Sequence, residues 1–133
     1  MAMTKMFDLS GKVAIVTGGN RGIGRALALG LAEAGASVAI FARDEAKNAA
    51  TLKELLALGG RALALRVDLK RREELKPAFD EVERRLGPID IMVNNAAYAT
   101  LTSVVDTSEE DWDGCSRSTS MPLSSSASAR RAR

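Results

Sequence analysis

An α/β fold, a doubly wound sheet of parallel strands covered by helices, is predicted by this sequence from three observations. Four short apolar runs alternate with stretches of helical periodicity. The runs are apolar on both sides, as expected of strands with helices on both faces. Glycines punctuate the joints, and one group of them stands between the first apolar run and the first helical stretch.

Lys12–Thr17 reads as the first strand, because Val, Ala, Ile and Val follow one another without a polar break. Arg21–Ala34 reads as the first helix, with Gly35 as its stop. Ser37–Ala42 is the second strand. Asp44 is placed to cap a second helix whose apolar positions fall at Ala49, Leu52, Leu55 and Leu56, and Gly59-Gly60 ends it. Arg61–Val67 is the third strand. Leu75, Phe79, Val82 and Leu86 then recur at helical spacing between charged residues. Pro77 is tolerated if it lies in the first turn of that helix, so the regular part is expected to start near Arg72–Leu75. Gly87-Pro88 stops it, and Ile89–Val93 is the fourth strand.

With 133 residues the chain has room for one domain of ordinary size. Hydrophobic residues make up 46%, enough for a core, and with 4% aromatics that core must be mainly aliphatic. The net charge of +2 is unevenly spread. Residues 114–133 hold four arginines and no acid, so residues 1–113 carry fifteen basic against seventeen acidic side chains. No basic face suited to specific nucleic-acid binding is expected in the folded part. One cysteine, Cys115, and no histidine exclude an internal disulfide, histidine catalysis and His/Cys zinc sites. No apolar stretch has the length of a signal peptide core or a membrane span, and the expectation is a cytoplasmic protein with no membrane partner.

The chemistry-bearing motif is Thr17-Gly-Gly-Asn-Arg-Gly-Ile-Gly24. Strand, glycine turn and helix start form the setting that a dinucleotide pyrophosphate requires. Glycine lets the backbone turn tightly and lets the anion approach the main chain. The helix N-terminus adds free N–H groups and a partial positive charge. The spacing Gly18-x-x-x-Gly22-x-Gly24 is not the common G-x-G-x-x-G. In a parallel sheet, ligands bind at the carboxyl ends of the strands where the strand order reverses. The glycine turn after strand one and Asn94-Asn95 after strand four are expected to meet there.

Thr17-Gly-x-x-x-Gly-Ile-Gly24, Asp68 after the third strand and Asn94-Asn95-Ala96 after the fourth together resemble the short-chain dehydrogenase/reductase family, in order and separation, over about residues 7–113. Ala97 departs from it, standing where the family usually has glycine. The resemblance implies a Rossmann-like sheet of strand order 3-2-1-4 and a glycine loop that cradles cofactor phosphates, with Thr17, Gly18, Asn20, Arg21, Gly22, Ile23 and Gly24 as candidate cofactor-binding residues. Asp68, with Leu69 beside it, resembles the aspartate that hydrogen-bonds the adenine ring; the other reading of Asp68 is a cap for the next helix. Asn94 and Ala96 resemble the segment along the adenosine ribose. Asn95 reads equally as a structural residue bonding to neighbouring loop backbone.

The expected cofactor is NADP in preference to NAD. A ribose 2′-hydroxyl calls for a carboxylate at the end of strand two, and a 2′-phosphate for cations. Ala42 stands where that acid would fall, Arg43 follows it, and Arg21 lies in the glycine loop. Planar guanidinium forks suit phosphate. Asp44 is a nearby acid that counts against this, and Arg43 also reads as a solvated loop residue.

Catalysis in the family uses a Tyr-x-x-x-Lys pair, a serine and an asparagine, the lysine lowering the pKa of the tyrosine from its usual value of about 10. The one tyrosine here, Tyr98, is followed four residues later by Thr102 and lies too early in the chain, so no catalytic residue is assigned. Thr107-Ser-Glu-Glu110 is a capping box that should start a further helix, continued by Asp111-Trp112-Asp113. Beyond it, residues 114–133 hold seven serines and four arginines with almost no apolar periodicity, and are expected to be disordered. The abrupt change predicts a shift of reading frame near Asp113, with a natural regulatory tail as the alternative. The chain is thus expected to be a partial NAD(P)-binding domain, residues 1–113, of an oxidoreductase acting on a carbonyl or alcohol. The alternatives are an inactive nucleotide-binding fragment and a non-functional remnant. Strand four is expected at an open sheet edge, and a family-type homo-oligomer is not expected.

Overall fold

The structure is a computed structural model, and it describes residues 5–97, 108–110 and 113. Four parallel strands, β1 (Val13–Thr17), β2 (Ser37–Ala42), β3 (Ala62–Arg66) and β4 (Ile91–Val93), form one sheet in the order β3-β2-β1-β4. Helices α1 (Gly22–Glu33), α2 (Glu45–Ala57) and α3 (Arg72–Leu86) are the crossovers. The predicted class and strand order are those observed.

Alternation along the strands divides the core in two. Val13 and Ile15 join Ala39, Phe41 and Leu63 on one face, under Leu75, Ala78, Val82 and Leu86 of α3. Ala14 and Val16 join Val38 and Ile40 on the other, under Ala28 and Ala32 of α1 and Leu55 of α2. All five residues of β1 are buried, as a strand covered on both faces must be. Phe79 of α3 meets Phe41 edge-to-face, with ring centroids 5.8 Å apart. Across the sheet, α1 buries only Gly24, Ala28 and Ala32, a stripe of small residues that brings its backbone close to the strands.

Two sequence expectations are corrected, those for β4 and for the face of α2, while α3 starts at Arg72 as expected. The ladder of β4 starts at Ile91, not Ile89. Before it, Asp90 occupies Val13 through both its backbone and its side chain: its N–H donates to the Val13 carbonyl (2.9 Å) and its Oδ2 accepts from the Val13 N–H (3.0 Å). A side chain therefore takes the place of a strand partner there. Pro77 is the sixth residue of α3, beyond the first turn, and the helix runs through it. Pro77 and Glu73 are both exposed, so water can take the carbonyl that proline leaves without a donor. The inner face of α2 carries Asn48, Thr51 and Leu55, while Ala49 and Leu56 are exposed. The apolar reading of that helix missed Asn48, whose amide is buried because it is hydrogen-bonded, and Thr51 beside it.

The caps follow expectation elsewhere. The Asp44 carboxylate accepts from the Lys47 N–H at the start of α2 (3.1 Å). Gly35 and Gly59 stand just past the ends of α1 and α2 at positive φ. Tyr98, Thr102, Thr107, Asp111, Trp112, Cys115 and the segment 114–133 lie outside the described residues. No helix of the described residues is long and apolar enough to cross a membrane.

Candidate functional site

β1 lies between β2 and β4, so the strand order reverses at its carboxyl end. The glycine loop leaves β1 at that point. Its backbone needs positive φ at Gly18 (+65°) and Gly22 (+53°), the region that favours glycine. Gly24 is required for a different reason. A Cβ built there would stand 2.2 Å from the Gly18 carbonyl oxygen and 2.3 Å from Asn95 Nδ2, so α1 can begin this close to the loop only without a side chain.

Thr17 ties the ends of β1 and β4 together. Its hydroxyl donates to the Val93 carbonyl (3.3 Å) and accepts from the backbone N–H groups of Asn95 and Ala96 (3.0 Å each). Asn95 Nδ2 donates to the carbonyls of Thr17 and Gly18 (3.3 Å each). This is the structural role that one reading assigned to Asn95. The two segments meet at the switch point as expected.

The loop opens into a cleft of about 560 Å³. Of the residues singled out from sequence, Gly18, Asn20, Arg21, Gly22, Ile23, Arg43, Asp68, Leu69 and Ala96 line it. Thr17 and Gly24 do not line it but brace the wall from behind, and Asn94 is exposed and not part of the lining. Sequence reasoning did not single out Phe41, Lys47 and Val67 as lining residues. Strand alternation and the α2 register could have pointed to them.

The mouth of α1 is electrostatically open. Its N-cap residue, Arg21, makes no side-chain capping bond, and the first turn holds no acid. In contrast, Asp44 and Glu45 occupy the start of α2, and Glu73 and Glu74 that of α3. The first N–H groups of α1 and the positive end of its dipole are thus left for an anion in the cleft. A side chain at Gly22 would meet nothing within 4 Å, so the backbone there is reachable from outside.

Arg21 and Arg43 are exposed, and neither pairs with an acid among the described residues. Asp44 is engaged elsewhere. The Lys47 N–H holds its carboxyl below the usual range, and the Lys47 ammonium stands 3.7 Å from it. The Asp68 carboxylate accepts from the Lys70 N–H (3.0 Å), a two-residue turn, while the Asp68 N–H donates to Glu74 Oε2 (2.9 Å). The N-cap of α3 is Arg71, so Asp68 does not cap that helix. Ala97 also lines the cleft, putting a methyl on its wall. Among the described residues no group of His, Cys, Asp and Glu could hold a metal ion. The arrangement is suited to gripping a polyanion through main-chain donors, with guanidinium groups at the rim.

Residues 12–122 match the short chain dehydrogenase family. A short chain dehydrogenase of Pseudocercospora fijiensis is 47% identical over 103 residues, covering 77% of this chain and 33% of that protein. A short-chain type dehydrogenase/reductase structure from Mycobacterium marinum is similar with a TM-score of 0.81 and 36% identity, covering 89% of this chain and 48% of that one. A 3-oxoacyl (acyl-carrier-protein) reductase from Agrobacterium tumefaciens, solved with NADP bound, has a TM-score of 0.79 and 32% identity, covering 88% and 45%. The chain thus spans about a third of that curated relative and under half of each solved structure. With the family's glycine loop at the switch point of its sheet, this chain belongs to the short-chain dehydrogenase family.

Proposed function

We propose that this chain holds the adenosine diphosphate end of NADP, as the cofactor-binding half of an oxidoreductase acting on a carbonyl or alcohol. The observation that carries the reading is the uncapped, acid-free N-terminus of α1 opening into the cleft. The backbone of Gly18, Gly22 and Ile23 would face the pyrophosphate, and Ala96 the ribose side. Asp68 and Leu69 would take the adenine. NADP is favoured over NAD because Ala42 and Arg43 stand at the end of β2, Arg21 is within the same cleft, and the Asp44 charge is already met by Lys47. A relative solved with NADP supports the same choice. In the whole oxidoreductase the reduced dinucleotide would supply a hydride to a carbonyl, and the oxidised form would accept one from an alcohol.

The 133 residues include no Tyr-x-x-x-Lys pair, and the role proposed for these residues is to hold the cofactor. Titration of the purified chain with NADPH and NADH, beside an assay for carbonyl reduction, tests this. The expected outcome is saturable binding, tighter for NADPH, with no turnover. Turnover would refute the assignment of a binding-only role, and no binding of either dinucleotide would refute the site. The composition change at Asp113 is read as a shift of frame, and translating the coding DNA past codon 113 in the other two frames tests it. The proposal includes a cytoplasmic location, in keeping with a single cysteine.

A further inference from the structure

Asn48 lies on α2, in no motif, and only 4% of it is exposed. A buried primary amide must find partners for two N–H donors and a carbonyl, or the site is costly. Here it finds them on three separate elements. Its Oδ1 accepts from Asn20 Nδ2 of the glycine loop (3.0 Å). Its Nδ2 donates to the carbonyl of Ala42 at the end of β2 (3.0 Å) and to that of Leu65 near the end of β3 (3.4 Å). One side chain thus links the loop to the carboxyl ends of both strands on that side of the cleft. The Ala42 carbonyl also accepts from the Val67 N–H (3.1 Å), which closes β2 onto the segment leading to Asp68.

The loop is held on a second point nearby. Gly19 sits so close to Ile40 that a Cβ there would stand 2.6 Å from Ile40 Cγ2. That contact sets the height of the loop above β2, and Gly18 is tied to the Phe41 carbonyl (2.8 Å) and to Asn95 (3.3 Å), but none of these holds the part of the loop beyond Gly19 against lateral sliding. The Asn20–Asn48 bond is directional and lies two residues before Gly22, where the anion-facing backbone begins. A hydrogen bond between buried amides in a low-dielectric setting resists such sliding.

We propose that Asn48, acting through Asn20, is a positioning residue that holds the phosphate-gripping loop in register with the ends of β2 and β3. This rests on the cofactor reading above. It assigns Asn20 a role one step removed from the ligand: its amide nitrogen is committed to Asn48. The clamp is a cross-brace between the part of the cleft that takes the pyrophosphate and the part that takes the adenosine.

The experiment uses the full 133-residue chain and two variants. Asn20→Ser cuts the link without disturbing the bonds of Asn48 to Ala42 and Leu65. Asn48→Leu removes the whole brace at similar volume. Hydrogen exchange on the ligand-free chain is the first readout. The backbone amides of Gly18 and Arg25, bonded to the carbonyls of Phe41 and Arg21, should exchange several-fold faster in both variants, while β1 and β2 amides stay protected in Asn20→Ser. Calorimetric titration is the second readout. Loss of one neutral hydrogen bond should weaken NADPH roughly five- to tenfold. Adenosine 2′-monophosphate, which lacks the pyrophosphate, should change by less than about twofold. The double variant should be no weaker than Asn48→Leu alone, because both residues act through one bond. Unchanged loop exchange in Asn20→Ser would overturn the proposal, as would equal losses for NADPH and the monophosphate. Failure of the unaltered chain to bind NADPH would overturn the cofactor reading instead, and the exchange arm would still decide the clamp.

Discussion

Gly24→Ala adds one methyl at the tightest approach between α1 and the glycine loop. The added carbon would stand 2.2 Å from the Gly18 carbonyl oxygen and 2.3 Å from Asn95 Nδ2. Ordinary contact begins near 3.4 Å, so the first turn of α1 must retreat by roughly 1 Å. The Gly18 oxygen is backbone, and Asn95 is tied to Thr17 and Gly18, so neither neighbour can give cheaply. Overpacking of this kind costs about 1–3 kcal/mol. Gly30→Ala is the control. It lies in the middle of the same helix, and a Cβ there meets nothing within 4 Å, so alanine should stabilise by up to about 1 kcal/mol through propensity alone. Urea unfolding reads both. With a slope of about 1–3 kcal/mol per molar, Gly24→Ala should lower the midpoint by roughly 1 M, and Gly30→Ala should raise it slightly. The same retreat stretches any bond from the Gly22 and Ile23 N–H groups to a bound phosphate, so NADPH affinity should fall about tenfold or more in Gly24→Ala and stay unchanged in Gly30→Ala. If Gly24→Ala unfolds and binds like the unaltered chain, the close approach of helix to loop is not what shapes this site.

Thr17→Val is nearly isosteric but strips the Val93, Asn95 and Ala96 backbone groups of their shared partner; a loss of about 1–3 kcal/mol is expected in chemical denaturation. Arg21→Ala and Arg43→Ala should each weaken NADPH by about tenfold, the size expected for a charge-assisted bond, and NADH by much less, as read by titration. An equal effect on both dinucleotides would remove the case for a 2′-phosphate site. Asp44 is held below its usual carboxylate range by the Lys47 N–H, so its capping contribution is present above that ordinary range and is lost as the pH falls through the lowered folded value. Asparagine caps without titrating, so Asp44→Asn should flatten this part of the acid limb of the stability profile while leaving the helix content at pH 7 by circular dichroism unchanged.

The α/β class and the strand order were legible because hydrophobic patterning and glycine placement are local properties. Val13–Val16 could be read as doubly covered from four residues alone, and the Asp44 cap from its place before a helical run. The glycine loop was legible for the same reason: strand, turn and helix are contiguous in the chain. Asn48 was not. A helical wheel ranks it as polar and outward, and only the carbonyls of Ala42 and Leu65, together with Asn20, explain its burial. Nor could periodicity foresee that Asp90 would hold Val13 with its carboxylate and delay β4 by two residues. Apolar spacing decides which side of an element is buried when burial is driven by area removed from water, a quantity each residue carries with it. Buried polar groups obey a different rule, since each needs a partner at about 3 Å with the right direction, and that partner is supplied by residues distant in sequence. The family and its glycine loop therefore stood in the chain itself. The bracing of that loop, by Thr17 and Asn95 on one side and Asn48 on the other, came into being only when the strands were laid side by side.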